Sequence, residues 1–283
     1  MSTTTPNLGL TKPDIGSTDW GTAVNGNWDI IDGASSGGGS VGQCRLEYVS
    51  TTSIKLIRYN GKNVLINGAL QPVPSAGVTL SNGGLSASTL YYIYVYMSSG
   101  TMTLIASTST PTAHSTYGNQ VSSGDNAQSL VGMIRTNGSS QFVDSDAQRF
   151  IRSWFNEGQI MGTKYDHNYS TSSGSYVELT SNLRVEFIAW SGESVVGLLM
   201  GGMLNNTQGA ETLSRIYLDG STTPSGQTRA MAPFSGYTDN TGLGEVFSGL
   251  SAGYHYLTLF GMVTSGTGSW YSINVSVVMS WRQ

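Results

Sequence analysis

A chain of 283 residues with 11% charged side chains, a net charge of −4 and no run of Lys and Arg lacks the electrostatic footprint for nucleic acid or an anionic membrane surface. Its 38% hydrophobic content excludes the disordered class, so the low charge points to a folded, β-rich protein with hydroxyls and amides at its surface. The single cysteine, Cys44, excludes an intrachain disulfide and a cysteine-built zinc site, and is expected to be a small buried hydrophobe in a strand.

The chain opens on Leu10-Thr11-Lys12-Pro13-Asp14-Ile15-Gly16, then Trp20-Gly21, Asn25, Asn27-Trp28-Asp29 and Ile31-Asp32. A Gly/Ser tether follows over 34–41. The first 33 residues bury too little surface to fold alone and are expected to order against a partner. Over 25–32 a helical turn capped by Asn25 or Asn27 is the most the sequence allows. The order L-x-L-T-x-P-x-x-G, W-G, N-x-N, I-D resembles the N-terminal segment of tail fibres and related virion appendage proteins of tailed bacteriophages. The resemblance implies an extended anchor at 1–33 that docks onto tail, neck or capsid proteins. The docking residues it implies are Leu10, Pro13, Trp20, Asn25, Asn27, Trp28, Ile31 and Asp32. It also implies a homotrimer.

From Cys44 the pattern changes to period 2, and a middle β domain is expected over 42–155. Arg45 to Glu47, Ile54 to Leu56 and Lys62 to Ile66 read as strands, with Tyr59-Asn60-Gly61-Lys62 as a hairpin turn. Leu90 to Met97 is the strongest strand and pairs with Thr101 to Ala106 across Ser98-Ser99-Gly100. Further strands fall at 129–135 and 149–155. Tyr92, Tyr94 and Tyr96 share one side, which reads as a packing face between sheets or subunits.

A second block, 156–283, carries strand candidates at 175–180, 184–190, 194–204, 212–218, 254–263 and 270–281. Turn clusters separate them at sandwich-like spacing. Gly249-Leu250-Ser251-Ala252-Gly253-Tyr254-His255-Tyr256-Leu257-Thr258-Leu259 resembles the strand entry of jelly-roll domains at fibre tips. The long connection 220–244 exceeds ordinary loop length. No window keeps a 3.6 period, and no fixed repeat exists. The predicted fold is therefore all-β, an extended anchor, a middle β domain and a jelly-roll-like C-terminal β-sandwich.

The chemistry-bearing residues are sparse. His114, His167 and His255 form no H-x-x-x-H pair: His255 reads as a hydrogen-bonded strand residue and His114 as solvated. Asp144 and Asp146 share a strand face but read as a solvated turn before Arg149, since calcium binding or glycoside hydrolysis would need a further converging acid. No phosphate loop, dinucleotide fingerprint or nucleophile elbow occurs, so the expectation is no enzyme, no metal and no cofactor. The first 20 residues lack the two regions of a secretory signal, and the apolar stretch 195–204 is too short for a bilayer; synthesis in the host cytoplasm and a place in the virion are expected.

These readings converge on a phage fibre or spike, docked by its N-terminus and binding a host surface glycan or protein through its C-terminal block. Arg229, Phe234, Tyr237, Asp239, Trp270 and Tyr271 are the candidate receptor contacts, since aromatic side chains at strand ends and loops anchor such interfaces. A structural neck or head fibre without a receptor is the alternative; a small polysaccharide depolymerase is the third reading.

Overall fold

The computed structural model describes residues 42–221 and 224–279, together with scattered positions among the first 27. Among the latter, β1 (Thr3–Thr4) pairs antiparallel with β2 (Thr11–Lys12). Gly21, Thr22, Val24, Asn25 and Asn27 have helical conformation. Asn25 and Asn27 thus lie at helical positions, whereas an N-cap has non-helical backbone. Leu10, Pro13, Trp20, Trp28, Ile31 and Asp32 lie outside the described residues.

The regular structure of the described residues is almost entirely strand, with no helix of seven residues or more. In the middle block, β3 (Cys44–Ser50), β4 (Ser53–Arg58), β5 (Asn63–Ile66), β6 (Ala69–Pro72) and β7 (Val78–Ser81) form two small sheets, β3-β4-β7 and β5-β6. They cover a larger sheet built from β8 (Leu90–Ser98), β9 (Thr101–Ser107), β10 (Pro111–Ala113), β11 (Gln120–Ser122) and β12 (Asp125–Arg135). The predicted Leu90 hairpin is present: Ser98 faces Thr101, and Ser99-Gly100 turns with φ of 46° and 81°. The turn at Asn60-Gly61 is different. It joins two separate sheets, because β4 pairs with β3 and β7 while β5 pairs with β6. The tight Asn-Gly hairpin is instead Asn67-Gly68, with both φ values positive as such a turn requires.

Alternation explains how β8 is buried on both faces. Tyr91, Ile93 and Val95 enter the core of the middle block. Tyr92 and Tyr94 point the other way, against Leu130, Met133, Phe150, Ile188 and Trp190. The tyrosine face is thus covered by the chain's own second block, and the apolar strand Leu90 to Met97 is not a free oligomer surface. Two short strands stitch the blocks together. β14 (Ile151–Ser153) joins β12 in the middle sheet, and β13 (Gln148–Arg149), two residues earlier, runs parallel to β18 (Val185–Ala189) in the second block.

The second block is a two-layer sandwich. One sheet has the order β15 (Ile160–Asp166), β24 (Gly268–Met279), β19 (Val195–Asn205), β22 (Thr238–Phe247), with β16 (Tyr169–Thr171) also on β24. The other runs β13-β18-β23-β20-β21, where β20 is Glu211–Leu218, β21 is Thr228–Met231 and β23 is Gly253–Val263; β17 (Val177–Glu178) also pairs with β23. From β18 onward the chain alternates between the layers except at the β20–β21 hairpin, the winding of a jelly roll. The connection 220–244 is therefore not one long loop, since β21 and the start of β22 occupy much of it. Its polar, glycine-rich stretch Thr238 to Gly244 carries little hydrophobic alternation to announce a strand.

The sandwich core interleaves Phe187, Ile216, Leu257 and Leu259 of one layer with Val195, Leu199, Ile273, Val275 and Val277 of the other. Trp270 lies fully within it. Its indole N–H donates to Ser214 Oγ at 2.7 Å, and its ring lies so close to Gly261 that any Cβ there would collide with it.

Candidate functional site

Strand direction sorts the jelly roll's loops into two ends. β18 and β22 run toward the middle block, and the turns that follow them, around Glu193 and Leu250, lie beside each other there; the Leu250 N–H donates to the Glu193 carbonyl at 2.9 Å. This end is clamped. Arg152 of β14 is fully buried, and all five of its N–H donors are used. Nε and Nη2 grip Glu157 at 2.6 Å each, a bidentate pair. Nη1 reaches the Ile188 carbonyl at 2.8 Å and Glu193 Oε2 at 3.0 Å, and Nη2 reaches Glu193 Oε1 at 2.9 Å. Glu193 also accepts from the Trp190 backbone N–H. One guanidinium thus ties a middle-block strand to the first turn of the sandwich. Sequence reading missed it, because 41 residues separate Arg152 from Glu193 and no local spacing relates them.

Beside this clamp lies a polar cleft of about 410 Å³, lined by Arg45, Tyr48, Asp144, Arg149 and Glu157 among others. Its charges are already paired. Arg149 binds Asp146 at 2.9 Å and Asp144 at 3.4 Å, and burial holds the Asp144 carboxyl above its ordinary value despite the nearby guanidinium. The Asp144–Asp146 pair is therefore a salt-bridged turn.

The opposite end of the jelly roll carries the candidate contacts. There the loops 206–210, 232–237 and 264–267 converge. Asn206 organises them: its carbonyl accepts from Ser235 Oγ at 2.7 Å and its side-chain Oδ1 accepts from the Thr267 N–H at 2.8 Å. Gly236 donates to the Asn205 carbonyl at 2.9 Å. Phe234, 60% exposed, and Tyr237 stand edge to face at 5.3 Å between ring centres. Asp239 and Tyr271 lie at the same end, in β22 and β24 on either side of β19. Arg229 sits nearby in β21, its guanidinium 3.2 Å from Glu211. Trp270 is removed from this group. It is the indole of the core, and its neighbour Tyr271 takes the outward position that strand alternation leaves.

The other titratable candidates resolve into structural roles. His255 is 6% exposed, with Nδ1 2.8 Å from Asp219 Oδ2 and Nε2 3.0 Å from the Ser251 carbonyl. Burial would lower its pKa, but these two acceptors outweigh that and raise it above the ordinary value. His114 is buried, not solvated: its Nδ1 accepts from the backbone of Thr116 and Tyr117, and its ring packs on Tyr117. Cys44 is fully buried, and desolvation pushes its thiol up to about 12. Among the described residues no group of three or more His, Cys, Asp and Glu side chains is placed to hold a metal ion, and no helix is long and apolar enough to cross a membrane.

No protein-family model matches the chain, and no curated protein does. Solved structures give distant likenesses. Eiger TNF from S. frugiperda is 11% identical over 44% of this chain and 94% of its own, with a TM-score of 0.31. The Gx strain of infectious bursal disease virus is 13% identical over 85% of this chain and 67% of its own, at 0.29. A β-porphyranase of glycoside hydrolase family 86 from Bacteroides plebeius is 12% identical over 85% of this chain and 37% of its own, at 0.26. Likeness at this level carries no argument about function.

Proposed function

We propose that the chain is a virion appendage of a tailed bacteriophage, a short fibre or spike. Residues 1–33 dock onto other virion proteins, and the far end of the C-terminal jelly roll contacts the host surface. The observation that carries the adhesive part is the exposed Phe234–Tyr237 pair, held on a loop braced by Asn205 and Asn206 at the end opposite the Arg152 clamp. Aromatic rings fixed by a rigid scaffold among hydroxyl and amide groups, with Asp239 and Arg229 nearby, suit a glycan or a protein epitope. Copies joined in a homotrimer would present several weak sites at once, and avidity would raise the affinity far above that of one.

The test has two arms. Particles carrying a chain without residues 1–33 should lose the appendage, and retention at normal copy number refutes docking. Purified full-length protein should bind cells of the bacterium that the particle infects. Combined Phe234→Ala and Tyr237→Ala should reduce that binding at least about tenfold with the melting temperature unchanged. Wild-type protein that binds no cells, on a particle whose adsorption does not need it, is a structural fibre.

A further inference from the structure

The two outer faces of the jelly roll differ in kind. On the β18-β23-β20 layer, charge and aromatics cover each other. Arg184 pairs with Glu178 at 2.7 Å and lies 4.4 Å over the Tyr256 ring, and Tyr217 stacks on Phe260 at 4.0 Å. The β15-β24-β19-β22 layer has no such cover. Its outward positions fall in register across all four strands, and the first rung reads Met161, Val278, Val196 and Val246. The next two rungs add Leu198, Met200 and Tyr165 among Thr, Ser, Asn and Gly, so these three rungs contain no charged side chain.

The apolar side chains here stand in the open. Met200 is 67% exposed, Val246 61%, Tyr165 60% and Met161 52%. A shallow hollow of about 320 Å³ lies over Val196, Val246 and Val278. Among the polar groups on the face, Thr163 bonds Asn274 and Ser276 across the strands at 3.0 and 2.9 Å. A contiguous apolar face of this kind marks an interaction surface.

We infer that this face, built around Met161, Val196, Met200 and Val246, is where a second copy of this chain packs. The inference rests on the homo-oligomer of the preceding section and names its contact surface. Two observations select a like copy. A face without charge needs no complementary charge, so the same face about a shared symmetry axis satisfies it. The four strands, about 4.8 Å apart and 7 to 12 residues long, present roughly 600 Å² in plan, a little over half of it in the three charge-free rungs. The sheet face is thus of the same order as the roughly 800 Å² per partner of a standard interface.

Sedimentation velocity of the full chain at micromolar concentration tests the inference. Wild type should sediment as an oligomer. Met200→Glu, which places a charge on a solvent-facing position of the fold, should weaken association at least about a hundredfold and give the monomer mass. Val177→Glu, on the other layer, should leave the oligomer intact. A second measurement does not depend on the fold of the charge variant. Because Cys44 is buried, the thiol of Met200→Cys is the one a bulky maleimide can reach among the described residues. It should be protected in the oligomer and labelled at high dilution. A wild-type monomer overturns the homo-oligomer and the surface together. An oligomer that survives Met200→Glu, or labels freely at Met200→Cys, overturns the surface alone. Protection that persists in the diluted monomer assigns the cover to the chain's own terminal residues and also overturns it.

Discussion

Replacing Arg152 by Met keeps most of the side-chain volume but removes all five donors from a fully buried site, leaving Glu157 and Glu193 facing each other. Removing one partner of a buried ion pair costs about 3–5 kcal/mol, because the remaining charge has lost its compensation. The structure also supplies a bound. Glu157 can escape by taking up a proton, which from an ordinary value of 4.5 costs about 1.36 × 2.5, or about 3.4 kcal/mol, at pH 7. At pH 5 the same escape costs about 0.7 kcal/mol. Arg152→Met should therefore lose about 3–4 kcal/mol at pH 7 relative to wild type and recover most of it by pH 5. Urea unfolding followed by tryptophan fluorescence at the two pH values measures both, since Trp154 and Trp190 meet at 4.9 Å beside the clamp. A loss under 1 kcal/mol at pH 7, or one that does not shrink on acidification, would refute the view that one guanidinium neutralises both carboxylates.

His255 gives the opposite pH signature. Its folded-state pKa is raised above 6.5, so its contribution is fully present below about pH 6.5 and is lost as pH rises through the folded value; His255→Gln should abolish that part of the wild-type decline in thermal stability above pH 6.5. Trp270→Ala should cost about 3–5 kcal/mol, as a fully buried aromatic, whereas Tyr271→Ala beside it should cost under about 0.5 kcal/mol; chemical denaturation of the two variants separates core from surface at adjacent positions.

How much of this was legible depended on whether the signal was local. Strands with two-residue alternation or continuous β-branched and aromatic runs, such as Leu90 to Met97 and Tyr254 to Val263, stand near their expected bounds. β22 escaped because Thr238 to Gly244 offers backbone pairing to β19 with almost no side-chain pattern. β13 and β14 were read as one strand; the chain switches sheets between Arg149 and Ile151, and only tertiary pairing shows that. Trp270 was misread for a related reason. An aromatic near a predicted strand end has two faces available, and a core position and a contact position differ by a single residue of register. The Arg152 clamp had no signal of any kind, since a buried ionic group is defined by what surrounds it in space.

The clamp and the exposed loops are consequences of one winding. A jelly roll delivers its loops to two ends, and here one end is spent on holding the middle block through Glu193. What is left free is fixed by that choice: the loops around Asn206, Phe234 and Thr267 at the other end, and one uncharged sheet face along the side. In the proposed appendage the two free surfaces take different partners. The end is small, irregular and rich in amides, hydroxyls and aromatics, suited to a ligand met loop by loop. The face is uncharged, with exposed Met and Val side chains among small polar ones, and suits the proposed contact with an identical neighbour. A charge at Met200 and a truncation at Phe234 should thus act independently. The first should dissociate copies and lower binding only through lost avidity, and the second should lower binding by an intact oligomer. Single-site affinity unchanged by Met200→Glu, measured on the monomeric variant, is the outcome this division of labour requires, and a monomer with no residual site would contradict it.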